Sequence, residues 1–249
     1  MTATKSIVLN GQVLHGRDRY GNWVVNTLVG WNNSPPMKGR SEDRTNADGE
    51  YDVPDQYAAR VITLSGRVSC QNPEEASFIR DRLTGLVRGT RRLQVTGAGG
   101  LPTWAMVKLN GPVDTTLKGR MLRFSFDLKA PDPRRFGELR EFVASTSEAK
   151  AMHHKGNYRA TPKFEVVGGM PGGYTLSVGG RNFVVTAALG SKPHTIDYAT
   201  GRLYVGGVLV PDGVSYADLM LIEPGQRDTL AISGNGYATV TGRVYDTFI

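Results

Sequence analysis

From Leu122 to Lys129 apolar and polar residues alternate without a break, with Leu122, Phe124, Phe126 and Leu128 on one side and Arg123, Ser125, Asp127 and Lys129 on the other. A period of two predicts a half-buried strand. Pro131 and Pro133 follow, and because proline lacks an N–H and fixes φ, neither a ladder nor a helix continues through them. The same alternation over residues 57–69 sets Val61, Thr63 and Ser65 against Ile62, Leu64 and Gly66, predicting a central strand. Residues 5–14, broken by the tight-turn dipeptide Asn10-Gly11, and residues 20–29 predict a hairpin-like opening. One segment changes to a helical period. Asn72 is suited to the N-cap and Pro73 to the first helical position, Glu74 and Glu75 meet the positive end of the dipole, and Phe78, Ile79, Arg82, Leu83, Leu86 and Val87 form one stripe. Gly89 supplies the stop, and Arg88, Arg91 and Arg92 complement the carbonyl end.

Residues 93–95, 104–111 and 113–117 read as further strands, the first two joined by TGAGGLPT. That loop is no phosphate cradle: Leu101-Pro102 follows where a helix would have to begin, and no Lys-Ser/Thr pair is present. Between 138 and 152, Leu139, Phe142 and Val143 share a helical face and predict a short helix or crossover connector. Beyond it, strands near 162–167, 174–178, 181–186, 194–197, 202–205, 208–209, 218–222, 229–233 and 237–245 are separated by closely spaced Gly-Gly and Asn-Gly turns, the mark of an antiparallel β-sandwich. The fold class is therefore mainly β: a β-rich N-terminal domain with one packed helix over 1–140, a linker over 141–155 and a sandwich over 156–249. The polar run EAKAMHHKGN is expected to be exposed, and proteolysis to cut first between 138 and 156.

Charge sharpens the division. Residues 1–150 hold 22 Lys and Arg against 16 Asp and Glu, whereas residues 151–249 hold 8 against 7. The basic excess suits either a solvated surface or a polyanionic partner. Residues 30–56 are dense in Asn, Pro, Ser, Asp and Gly with no apolar period, so they form a long surface excursion or an arm that orders against a partner. No segment approaches the length of a membrane span, the first residues lack the apolar core of a secretory signal, and a lone Cys70 fits a small buried side chain better than a nucleophile. Soluble folding in the cytoplasm is the expectation. Catalytic, cofactor and metal sites are expected to be absent: no HExxH, CxxC or GxSxG occurs, adjacent His153 and His154 do not converge as an i, i+4 pair would, and Glu42-Asp43 lie where solvent keeps both ionised.

Taken in order, YAARVITLSGRV (57–68), the helix after it, FSFDLKAPDPRRFG (124–137), GNYRATPKFEVVG (156–168), HTIDYATGRLYVGGVLV (194–210) and the closing EPGQRDTLAISGNGYATVTGRVYDTFI (223–249) resemble the distal tail proteins of long-tailed bacteriophages. The resemblance implies an N-terminal domain that builds a homohexameric ring and an outward, galectin-like C-terminal sandwich. It implies a structural virion protein of the tail tip, assembled in the host cytoplasm without membrane insertion. Such a ring joins the tail-tube protein to the tail-associated hub or receptor-binding proteins, around an axial channel that DNA crosses only in transit. Segment 30–56 departs from the pattern and becomes the candidate inter-subunit arm, with Trp31, Met37, Tyr51 and Val53 as apolar anchors. Two other readings compete: a carbohydrate-binding module for a cell-wall glycan, with Tyr174, Tyr198, Tyr204 and Tyr216 in core or rim, and a DNA-binding protein using the basic first domain. Oligomeric mass separates the ring from both.

Overall fold

The computed structural model describes residues 6–38, 44–49, 56–86, 88–97, 99–198 and 200–249. Two units divide the chain, one running to Arg135 and including Ile249, the other spanning Phe136–Phe248.

In the first unit β1 (Ser6–Leu9) turns through Asn10 and Gly11, both at positive φ, into β2 (Gln12–Asp18) and then β3 (Gly21–Val29). The short β4 (Met37–Lys38) and β5 (Gln56–Tyr57) pair with each other, and β6 (Arg60–Cys70) leads into α1 (Pro73–Leu86), β7 (Arg91–Thr96), β8 (Pro102–Lys118) and β9 (Met121–Ala130). Hydrogen-bonded neighbours run β7-β1-β2-β3-β6-β9-β8, and β8 pairs again with β7, so seven antiparallel strands close on themselves. One strand serves both ends of this closure because it is long and bent. A bulge between Leu109 and Val113, with Gly111 at φ 131°, merges the two strands expected over 104–117 into β8.

The interior is filled by the alternating positions read from the sequence, including Ile62, Leu64 and Val68 of β6 and Leu122, Phe124, Phe126 and Leu128 of β9. Gly66 is required there, since a Cβ would stand 2.5 Å from the Val24 carbonyl oxygen and 2.8 Å from the Phe124 ring. Helix α1 packs on β6, β8 and β9 and contributes Ala76, Ile79, Leu83 and Leu86 to the same core. Its start is capped as expected, the Glu75 N–H donating to Asn72 Oδ1 at 2.8 Å while Glu75 Oε2 accepts from the Gln71 N–H at 3.1 Å. Phe78, placed on the buried stripe by the sequence, is instead 55% exposed and tilts against Tyr20. Cys70 is buried at the end of β6.

The second unit is a sandwich. One sheet runs β17 (Val208–Leu209), β16 (Arg202–Val205), β15 (His194–Asp197), β12 (Lys163–Gly169), β20 (Tyr237–Phe248), β10 (Arg135–Ser145), where Arg135 belongs to the first unit. The other runs β11 (Lys150–Met152), β19 (Asp228–Gly234), β13 (Tyr174–Val178), β14 (Arg181–Val185), β18 (Val214–Ala217). Phe164, Val166 and Val240 from one sheet and Leu176, Phe183 and Leu230 from the other share a core.

Three expectations fail here. The helix or connector over 138–152 is the strand β10 followed by β11, because Arg140, Phe142 and Ala144 alternate inward while Leu139, Glu141 and Val143 face out; the apolar spacing of 139, 142 and 143 imitated a helix. The linker over 141–155 is not an exposed run either. Met152 and His154 are buried, His154 Nε2 lies 3.1 Å from the Ile222 carbonyl oxygen, and a Cβ on Gly156 would stand 1.8 Å from the Thr247 carbonyl oxygen. Asp246 holds this region in place: it accepts from Arg140 at 2.6 and 3.0 Å and from the Lys155 N–H at 2.7 Å. The strand expected over 218–222 lies earlier, at β18, and Ile222 makes only a bridge to Ala160.

Candidate functional site

The segment that follows β3 is fixed by one buried cation. Arg60, the first residue of β6, is 1% exposed. Its Nη1 donates to the carbonyl oxygens of Gly30 at 2.7 Å, Trp31 at 3.0 Å and Asn33 at 2.5 Å, and its Nε donates to Pro133 O at 2.9 Å. The three donations hold residues 30–33, and the fourth ties them to the segment after β9. Burial, and secondarily the Arg135 cation, brings the Arg60 pKa down to about 10, which still leaves it charged at neutral pH. Arg135 is itself lowered by burial; its guanidinium lies 5.8 Å from the Trp31 ring centre and its Nη1 donates to Asn32 Oδ1 at 3.3 Å.

Of the four arm anchors expected from sequence, Trp31 and Met37 lie among the described residues, and they differ in exposure. Trp31 is 1% exposed within its own unit's core, so its ring is closed to a neighbour. Met37, on β4, is half exposed opposite Tyr57 of β5. Tyr51 and Val53 lie outside the described residues. Arg60 was missed as a site residue because its acceptors are backbone carbonyls remote in sequence, which leave no side-chain pattern to read.

The outward side of the closed sheet carries a group of cations with few carboxylates among them. In register, Arg67 of β6 stands opposite Arg123 of β9, and Lys108 of β8 opposite Lys129 of β9. Arg17 and Lys118 lie on the same side, in the row that pairs Arg17 with Asn22, Ser69 with Met121 and Met121 with Lys118. Of the two carboxylates interspersed here, Asp127 accepts from the Thr63 hydroxyl at 2.7 Å, and Asp114 stands opposite Ser125.

In the sandwich the tyrosines divide. Tyr174 and Tyr198 are buried, and burial raises both phenol pKa values above their ordinary range, with neighbouring charges adding at Tyr198. Tyr204 is half-buried and Tyr216 is exposed, donating to Asp218 Oδ1 at 2.7 Å. Two of the four rings are thus unavailable for stacking on a sugar. His194 is fully buried, 3.2 Å from the Tyr174 hydroxyl through Nδ1, and burial lowers its pKa against a smaller opposing effect from the Ala188 backbone. His154 is likewise engaged, its Nδ1 accepting from the Gly156 N–H at 3.0 Å. Among the described residues no cluster of three His, Cys, Asp or Glu side chains is placed to hold a metal, and no helix is long and apolar enough to cross a membrane.

No protein-family model matches the chain, and no curated protein matches it. Solved structures do. The SPP1 Dit protein, described as a paradigm of the hub adsorption apparatus in phages infecting Gram-positive bacteria, matches with a TM-score of 0.76 at 12% identity over 98% of this chain and 99% of that one. The chain therefore has the fold of that protein. The phage P2 baseplate, in activated conformations with Ca and with Sr, matches at TM-scores of 0.45 and 0.43 and 9% identity over 84% of this chain and 89% of that chain, a likeness too distant to bear on function.

Proposed function

We propose that the protein is a structural component of the tail tip of a long-tailed phage. Six copies of the first unit close head to tail into a ring that joins the tail tube to the hub or receptor-binding parts and leaves an axial channel through which DNA passes. The observation that carries this reading is the fold match to the SPP1 Dit protein, which extends over nearly the whole of both chains. Its place is the virion, reached by assembly in the host cytoplasm, and its role is architectural, without catalysis. The arm supplies part of the contact, with Met37, Tyr51 and Val53 meeting the neighbouring copy from a root held by Arg60 and Trp31.

Electron microscopy of the purified protein tests the reading, with native mass spectrometry for stoichiometry. Six-fold rings are the expected result. A chain that stays monomeric at high concentration, and that no tail partner drives into rings, would overturn it.

A further inference from the structure

Like charges on directly opposed positions of a sheet destabilise it, so a surface that keeps two such pairs is one expected to be neutralised from outside. Arg67 with Arg123, and Lys108 with Lys129, are such pairs, and all four sit on one side of β6, β8 and β9. Among the described residues none of the four forms an ion pair, whereas in the sandwich Arg140, Lys163 and Arg243 each meet a carboxylate within 3.4 Å. The missing negative charge is present elsewhere in the same sequence. Residues 42–55 hold six carboxylates, Glu42, Asp43, Asp48, Glu50, Asp52 and Asp55, against the single cation Arg44, a net of −5 within a chain of net +7.

We infer that this basic face receives the acidic segment 42–55 of a neighbouring copy. A head-to-tail ring needs two different patches on each copy, each complementary to the other, and an acidic arm with a basic sheet face is such a pair. The inference rests on the ring reading above and adds to it what selects the neighbour. Apolar anchors on the arm contribute buried area, while the charges set orientation and speed encounter. Ring formation is therefore sensitive to ionic strength, since exposed charges are screened within about 3 Å at 1 M salt.

The test uses two full-length variants and native mass spectrometry. A face variant carries Arg67→Glu, Lys108→Glu, Arg123→Glu and Lys129→Glu; an arm variant carries Asp48→Lys, Glu50→Lys and Asp52→Lys. Each alone is expected to lose the ring, and an equimolar mixture to regain it as an alternating assembly, because each reversed face then meets a reversed arm. The face variant keeps two like-charge pairs of opposite sign, so its melting temperature should stay near the parent's. If it fails to fold, Arg123→Glu alone decides: it turns one repulsive pair attractive, and should melt higher while assembling less well. Rings that persist unchanged in both variants would overturn the inference and leave the ring reading standing. A mixture that stays monomeric would also overturn it, by assigning the arm to its own chain's face. Failure of the unaltered protein to form rings at low salt, with or without a tail partner, would defeat the ring reading itself.

Discussion

Arg60 brings a full charge into the interior, and what makes this tolerable is four backbone carbonyls rather than a carboxylate. Replacing the guanidinium relieves the buried cation but strands those acceptors where water cannot easily reach them. Hydrogen bonds to charged groups contribute about 1.5–3 kcal/mol each, and stranded buried acceptors cost a comparable amount, so the loss exceeds the relief. Arg60→Met is expected to destabilise the first unit by about 3 kcal/mol, and Arg60→Lys by somewhat less, since an ammonium cannot reproduce the planar fork. Denaturant unfolding of the two variants measures this; an unchanged midpoint would show that the carbonyls find other donors. His194 makes the opposite demand on its surroundings. Burial lowers its pKa below the ordinary 6.5, so the unfolded chain binds the proton first and stability falls with pH below that value. Unfolding midpoints of the sandwich should be flat above about pH 6.5 and decline beneath it, and His194→Gln should remove the upper part of the decline.

At the level of elements, the strands that alternate cleanly are where period two placed them. Residues 60–70 and 121–130 bury the expected side, and Asn72 and Pro73 open the helix, because these signals are local to the backbone that uses them. Segment 138–152 was misread for a physical reason. A strand with apolar groups on both sides can present the i, i+3, i+4 spacing of a helix, and only the neighbouring strand β20, about a hundred residues away, settles which period applies. The same distance hides the site: like-charge neighbours such as Arg67 and Arg123 become visible only once β6 and β9 are in register. The polarity of residues 30–56 was legible, but not that the Trp31 ring would be taken up by its own core.

At the scale of the whole molecule, the two units differ in how their sheets end. The first has no open edge in its seven-stranded closure, whereas the sandwich leaves β17, β11 and β18 at the ends of its sheets. Closure has a kinetic consequence for the one sulfhydryl the chain possesses. Cys70 is 5% exposed, and burial first, then the charges of Glu75 and Asp18, hold its thiol pKa above the ordinary value, so a reagent in solution meets almost no thiolate until the end of β6 separates from its neighbours. With reagent in excess, the labelling rate becomes a clock for that opening. In the ring proposed above the clock is expected to run measurably slower than in dissociated chains, and equal rates would mean that such assembly leaves this end of the closure as free to breathe as it is alone.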